Sequence, residues 1–401
     1  MSKRPNILWI ITSQWRSFAT GYSGDLNAQT PWLDGVAGTA TNFGQAITPH
    51  PMGPQARAAL FTGKLSAENG VIDYWEPLPT DARTIAHALN DRGYSTAFFG
   101  KWHLGVRDRS VPFVSAAHAK QIIRKEQRGG FEFWEGFESG FLLNDPWLHG
   151  TRLTEPTLFK GYQADVLIHR AAEWIRGSHS KPTFCVVSLE SPHPPYHDRT
   201  PHVAETNPAE VTLRPNVPLG GAVEKQARDE LAGYYAHIEA TDRSIGKLVT
   251  EVDLTNTALV FTSVHGDMHG SHGLFRKAWP YEESIRVPLL VSHPDLSPFP
   301  RLNDTPISLV DIPHMTLAWA EGREWHCKRD HALVSMPKGV SIPLQCPHAW
   351  HGFRTSKRKL ILNADGSPWL YFDLESDPFE KNNMALDPGR SGEIDQLKLI
   401  L

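Results

Sequence analysis

Five short apolar runs, at residues 7–12, 96–99, 183–189, 258–263 and 287–292, constrain this chain more than any other feature. Each is rich in β-branched or aromatic side chains, and each ends in polar residues, glycine or proline. A strand covered on both faces reads as a continuous apolar run, because every side chain meets a packed layer, whereas a strand with one wet face alternates. Between the runs, the patterning predicts helices at 84–92, 165–176, 224–251 and 307–318. In the longest, Leu231, Tyr235, Ile238 and Ile245 keep helical spacing with charges opposite, the stripe of a scaffold helix. The alternation predicts an α/β fold with a large, mostly parallel sheet between helices.

Beyond about residue 323 the texture changes. Residues 359–363 and 369–373 flank Ala364-Asp365-Gly366, whose Asp-Gly pair marks a β-hairpin. The expected organisation is a catalytic-type α/β domain over 1–322 and a small C-terminal subdomain with an antiparallel sheet over 323–401. The prolines at 192–195 and 298–300 read as loop punctuation.

Composition excludes several classes. With 40 basic against 44 acidic residues the formal charge is −4, so no global field draws the chain to nucleic acid or an anionic membrane. The expected partner is a small anionic or carbohydrate substrate, with a homo-oligomer left open. Cys185, Cys327 and Cys346 are too few for a disulfide framework and suit a reducing, cytoplasmic compartment. The early apolar run is too short for a secretion signal, and no run approaches a membrane span.

In open α/β sheets ligands bind beyond the carboxyl ends of the strands. Those ends carry Ser13-Gln14, Lys101-Trp102-His103, Glu190-Ser191-Pro192-His193 and Val264-His265-Gly266-Asp267. Together with Arg4-Pro5-Asn6-Ile7-Leu8, Thr30-Pro31-Trp32-Leu33-Asp34, Arg57-Ala58-Ala59-Leu60-Phe61-Thr62-Gly63, Gly100-Lys101-Trp102-His103-Leu104-Gly105, Tyr281-Glu282-Glu283-Ser284 and Leu370-Tyr371-Phe372-Asp373, these stretches resemble the sulfatase family of the alkaline-phosphatase superfamily. The resemblance runs in order through nearly the whole chain, and implies the alkaline-phosphatase-like sandwich fold. It also implies a divalent metal held by carboxylates at the strand ends, and a formylglycine nucleophile made from Cys or Ser in a Cys-x-Pro-x-Arg motif.

Against that pattern the sequence departs in three places. Aligned on Arg57, the nucleophile position is Gly53; the family's Thr-Asp-Gln is Thr12-Ser13-Gln14; its Ser-Asp-His-Gly is Ser263-Val264-His265-Gly266. None of the three cysteines precedes x-Pro-x-Arg. Ser13, Gly53 and Val264 therefore vacate the metal and nucleophile positions, and only Gln14 and His265 remain of the metal shell, too few for a hard dication. The expected site uses no metal and no cofactor. A zinc site built from His265, His269 and His272 near Asp267 is a remote alternative, because their spacing matches no recognised ligand motif.

Arg57, Lys101, His103, His193 and Lys277 match the family's substrate-contacting and acid/base positions. Lys101 and His103, two apart, are expected on one side of an extended segment, one pairing an anion while the other transfers a proton. Substrate-binding candidates are Arg57, Lys101, Lys277, Gln14 and Trp102, with Trp15 as a second tryptophan beside the site. Catalytic candidates are His103, His193, His265, Asp267, Glu190 and His50. The leading functional expectation is a sulfatase-like hydrolase retasked to cleave a glycosidic bond in an anionic carbohydrate, which needs two carboxyls roughly 5 to 10 Å apart. Glu190 and Asp267 are the candidate pair, and Asp73 and Glu76 flank Tyr74 and Trp75, which could stack on a sugar. A catalytically inactive binding protein is the alternative of a different class, and residual sulfate or phosphate ester hydrolysis is the third. For each carboxylate taken singly, a solvated or helix-capping role is the plainer reading, as is a loop histidine for His50.

Overall fold

The computed structural model describes residues 4–204, 206–295 and 301–401. Its centre is the strand Asn6–Thr12, which pairs in parallel with Thr183–Ser188 on one side and Thr257–Ser263 on the other. Ile7, Trp9 and Ile11 enter one hydrophobic core while Leu8 and Ile10 enter a second. The period-two alternation of a strand thus feeds two packed layers, which is why residues 7–11 include no polar side chain. On the first face lie the helices Gly53–Thr62 and Asp311–Ala320, through Ala56, Leu60, Ile312 and Met315; on the second lie Gln163–Ile175 and Ala222–Thr250, through Leu167, Ile168, Leu231 and Ile238.

Outward from the centre the sheet continues in parallel through Ser95–Lys101 and Phe133–Phe137, then antiparallel through Trp147–Gly150 and Thr157–Leu158. The opposite edge is formed by Leu289–Ser292, Thr41–Phe43 and Arg301–Asn303, completing ten strands. A four-stranded antiparallel sheet, His331–Met336, Trp350–Thr355, Arg358–Asn363 and Pro368–Asp373, follows. Its last hairpin turns at Gly366, whose φ of +81° falls in the region that favours glycine. The α/β class and the two kinds of sheet agree with the sequence expectation.

Three details differ. The run at 287–292 yields Leu289–Ser292, antiparallel to its neighbour Thr257–Ser263, because only the short helices Ser271–Gly273 and Glu282–Ile285 lie between the two strands and no long crossover helix intervenes. The expected helix at 307–318 begins instead at Asp311: Ile307–Ser308 pairs as a strand with Ala46–Ile47, and the Asp311 carboxylate accepts the Ser308 N–H at 2.9 Å. The helix Gly53–Thr62 was not expected, since residues 53–61 are all buried and a helix covered all round shows no stripe. The prolines at 298–300 lie outside the described residues.

The small sheet is fastened to the main body beside the site. Arg354 donates to Glu282 at 3.0 Å, and Lys359 is shared by Glu282 and Glu380, all buried. The Ser335 N–H donates to the Pro49 carbonyl at 2.8 Å and the Trp350 indole to the Ala278 carbonyl at 2.9 Å. These clips bring Ile342, Pro343 and Gln345 to the rim of the cavity described next. Among the described residues no helix is long and apolar enough to cross a membrane.

Candidate functional site at the carboxyl ends of the strands

The parallel strands end around a cavity of about 300 Å³. Ser13, Lys101 and His265 reach it from three strand ends, His193 from the loop after Thr183–Ser188, and Gly53 and Arg57 from the first turns of the Gly53–Thr62 helix. That helix points its N-terminus, with proline in its first turn, at the cavity, and the unsatisfied N–H groups there favour a negative guest. Lys277, Arg276 and His103 complete the polar lining, while Tyr74, Phe113, Phe141 and Ile342 are among the walls.

Arg57 is 1% exposed. One Nη donates to Ser13 Oγ at 2.9 Å, but its Nε and other Nη have no partner, and neither has His103 Nδ1. Buried polar atoms left without partners are costly, so the two Arg57 nitrogens mark where a ligand's acceptors belong, with His103 Nδ1 a third polar atom open to the same space. Burial lowers the Arg57 pKa to about 10 and the Lys101 pKa to about 8, the latter against the pull of Glu190, whose Oε1 accepts from Lys101 Nζ at 2.6 Å. Burial, then the charge of Lys101, pushes Lys277 well below the ordinary lysine range. Lys277 Nζ donates to Gln14 Oε1 at 2.5 Å and faces His193 Nε2 at 2.9 Å.

The histidine protons can be placed from their partners. His193 Nδ1 lies 2.8 Å from the Pro194 carbonyl and His265 Nδ1 2.9 Å from the Gly266 carbonyl; a carbonyl only accepts, so both Nδ1 atoms donate and both Nε2 atoms carry lone pairs. Burial and neighbouring cations (Lys101 for His103, Lys277 for the other two) hold all three imidazoles well below the ordinary histidine value, so they stay neutral. Phe141 stacks on His193 at 4.5 Å, and Lys101 Nζ sits 4.6 Å from the Phe141 centroid.

The expected residues divide. Arg57, Lys101, His103, His193, His265 and Lys277 converge on the cavity. Lys101 and His103 do so by a different route from the one expected: His103 has φ +58°, so the segment is not extended there, and its N–H is tied to the Glu138 carbonyl at 2.9 Å. Gln14, Glu190 and Asp267 lie behind the lining. Glu190 is spent on Lys101 and Gln163; Asp267 accepts from Gln14, from Tyr196 at 2.6 Å, and from the N–H groups of His269 and Arg276. Burial alone would raise the Asp267 carboxyl, but His269, Arg276 and Tyr196 together hold it below the carboxylate range.

Trp102 and His50 stand apart from the cavity. Trp102 is wholly buried in the first core, stacked on Phe61 at 5.4 Å, because it continues the face of the strand Ser95–Lys101 that carries Phe98, opposite Lys101. Trp15 packs edge-on against Phe261 and donates to the Ala19 carbonyl. His50 accepts the Ser66 N–H at 3.0 Å on Nε2 and donates through Nδ1 to the Ser335 carbonyl, a structural clip. Tyr74 lines the cavity, but Trp75 stacks on Phe113, and Asp73 and Glu76 face Lys338 at 3.8 and 3.7 Å. Arg276, Phe113, Phe141 and Ile342 were not expected; nothing in their local sequence marks them, since separate loops bring them together.

The positions that the resemblance assigns to metal ligands are engaged otherwise. Ser13 holds Arg57 and the Leu189 carbonyl, Gln14 holds Lys277 and Asp267, and Val264 is buried in the apolar core with Trp9 and Ile11. His265, His269 and His272 do not converge: His269 lies between Tyr196 and Tyr234, and His272 stacks on Tyr281 beside Asn216. Among the described residues the one trio with ligand atoms mutually within 4.8 Å is His272, Glu283 and Glu380, outside the cavity.

A doubly covered, mostly parallel sheet with a cavity lined by basic side chains and imidazoles at its strand ends defines the class, an α/β sandwich protein. The family model for sulfatases matches residues 5–322, and the chain belongs to the sulfatase family. An ulvan-active sulfatase of Formosa agariphila is 30% identical over 411 residues, covering 96% of this chain and 78% of that protein. Among solved structures, one in complex with its substrate D-glucosamine-2-N,6-O-disulfate superposes with a TM-score of 0.80 at 21% identity, covering 100% of this chain and 97% of the other. The phosphonate monoester hydrolase of Agrobacterium radiobacter superposes at 0.75 with 20% identity, covering 98% and 94%.

Proposed function

We propose that the cavity binds a tetrahedral oxyanion ester, a sulfate or phosphate group carried on a larger molecule, and hydrolyses it without a divalent metal and without formylglycine. The observation that carries this reading is the set of unpartnered, buried nitrogen atoms of Arg57 and His103 at a floor that also presents Lys101 and Lys277. Arg57, Lys101 and Lys277 are buried with one ion-paired carboxylate among them, and an anionic guest would favour the charged forms that burial and mutual repulsion disfavour. Arg57 offers its planar fork, Lys101 and Lys277 offer point charges, and the neutral histidines supply lone pairs for proton traffic.

The donors at the family's metal positions, one hydroxyl, one carboxamide and an imidazole, suit Mg²⁺ or Ca²⁺ poorly, and two of them already face cations. No step is routed through such an ion. The glycosidic version finds less support, since Glu190 and Asp267 both lie behind the lining with their oxygens engaged. A second reading, ligand binding without turnover, is favoured by Gly53, which offers no nucleophile of its own.

The test is a panel of aryl sulfates, aryl phosphates and glycosides given to metal-stripped protein, with bound metal measured in parallel. Ester turnover that survives chelation is the expected result. Turnover that appears only with one bound dication per chain would refute the metal-free reading. Thermal stabilisation by sulfate or phosphate with no turnover of any ester would select the binding protein.

A further inference from the structure

The space that Gly53 leaves is not empty. A Cβ built on Gly53 would stand 2.8 Å from His103 Nδ1 and 3.0 Å from His103 Cε1, inside any real contact distance. The imidazole therefore occupies the volume into which a side chain at position 53 would project, and the glycine is what permits it. We propose that His103 Nδ1 is itself the nucleophile of this site, attacking the phosphorus or sulfur of the bound ester to form a covalent N-phosphoryl or N-sulfuryl histidine. This rests on the oxyanion-ester reading above.

Several observations converge on that atom. His103 Nδ1 is buried, has no hydrogen-bond partner, and belongs to a residue that lines the cavity. The other ring nitrogen, Nε2, lies 3.3 Å from the Tyr74 hydroxyl. With Nε2–H donating to the Tyr74 oxygen, the lone pair sits on Nδ1, and this is the tautomer that the proposal requires. The main chain is pinned: the His103 N–H donates to the Glu138 carbonyl at 2.9 Å, and the His103 carbonyl accepts from Arg107, itself paired with Glu138 at 2.7 Å. Tyr74 packs edge-on against the ring at 5.5 Å. A fixed ring with a free lone pair beside an anion clamp is the arrangement that covalent catalysis requires.

The step balances. The Nδ1 lone pair forms the bond to phosphorus or sulfur as the bond to the ester oxygen breaks. The leaving oxygen takes a proton from the Lys101 ammonium, and the resulting imidazolium keeps its Nε2–H on Tyr74. Water then attacks the same centre, the N–P or N–S electron pair returns to Nδ1, inorganic phosphate or sulfate departs, and the water's spare proton restores Lys101. Tyr74 is a positioning residue in this scheme.

The experiment uses the full chain with p-nitrophenyl phosphate and p-nitrophenyl sulfate in separate arms, quenched in alkali, where N-phosphoryl histidine survives. One transferred group on the peptide containing His103 is expected, lost in His103→Gln, with turnover by that variant partly restored by free imidazole. Because the variant could fail to fold, stereochemistry at an isotopically chiral phosphate ester gives a second readout on the unaltered protein. Two displacements give retention; inversion would overturn the proposal. Stabilisation by inorganic phosphate is measured alongside. If phosphate binds but no ester is turned over and no adduct forms, the nucleophile falls while the anion site stands; if phosphate does not bind at all, the anion-site reading is what fails.

Discussion

Two sets of positions around the strand ends, one that the family resemblance matches to metal and nucleophile side chains and the other to anion-contacting side chains, are held by different physics. At Ser13, Gly53 and Val264 the chemistry has been absorbed into structure: a hydroxyl bridges Arg57 to a carbonyl, a histidine ring fills the space above a glycine, and a valine joins the core. At Arg57, Lys101 and Lys277 the opposite holds, with charge kept dry at a cost that packing alone does not explain. The difference is the one that the anion-site proposal expects. Losing a carboxylate can be repaired by apolar packing, whereas a buried cation without a guest remains a standing penalty.

The sharpest way to break the comparison is to force the metal half back. Val264→Asp places a carboxylate among Trp9, Ile11 and their neighbours, and should cost roughly 3 to 5 kcal/mol of stability. Adding Ca²⁺ or Mg²⁺ should not recover the loss, even with Ser13→Asp in the same chain. Denaturant titration with and without the ions checks this; full recovery by a dication would mean that the metal site persists in latent form.

The cationic half is probed by Arg57→Ala, which removes the two unpartnered donor nitrogens. The expected loss of affinity for sulfate or phosphate is roughly a hundredfold or more, on the scale of one preorganised oxyanion donor. Isothermal titration reads it directly. An unchanged affinity would show that the empty donors do not face the ligand.

How much of this contrast could be read from sequence depends on whether a residue's partner is near it in the chain. The strand runs were legible because alternate side chains of residues 7–11 feed two cores and leave no polar position. The Gly53–Thr62 helix was not, because burial all round erases the stripe that marks a helix. Among site residues the cations were legible by type and position, but adjacency to Lys101 and His103 misleads for Trp102, which shares the core-facing side of the strand with Phe98 and so lies opposite Lys101. Glu190 and Asp267 were identified as strand-end carboxylates, and only tertiary contacts with Lys101 and Tyr196 reveal that they face inward.

A pH series separates the cations from one another. Lys101, its pKa lowered to about 8 by burial against the pull of Glu190, is charged below that value and neutral above it. Affinity for an anion should therefore fall as pH rises through about 8, and the step should vanish in Lys101→Arg. Stability moves the other way: between about 8 and the ordinary lysine value of 10.5 the unfolded chain binds the proton that the folded chain has released, so this group's contribution makes the fold more stable as pH rises. Opposite slopes for binding and stability, both removed by one substitution, would tie the titration to Lys101; parallel slopes would assign it elsewhere.

The smallest effect on ligand is expected at His50, which sequence proximity to Gly53 suggested as a base and which the fold uses as a clip. His50→Gln should leave anion affinity unchanged, because neither ring nitrogen faces the cavity: one accepts from Ser66 and the other donates to the Ser335 carbonyl. Its signature is acid stability instead. Burial, opposed by the bond to Ser335, lowers the His50 pKa to about 4, so as pH falls from the ordinary value of 6.5 toward 4 the unfolded chain takes up a proton that the folded chain refuses, and stability drops. Replacing the imidazole with a carboxamide removes that contribution, and the stability profile of His50→Gln should be flatter over this window. A ligand affinity that changes with His50 while the acid profile stays the same would return this residue to the site and dissolve the boundary between clip and cavity.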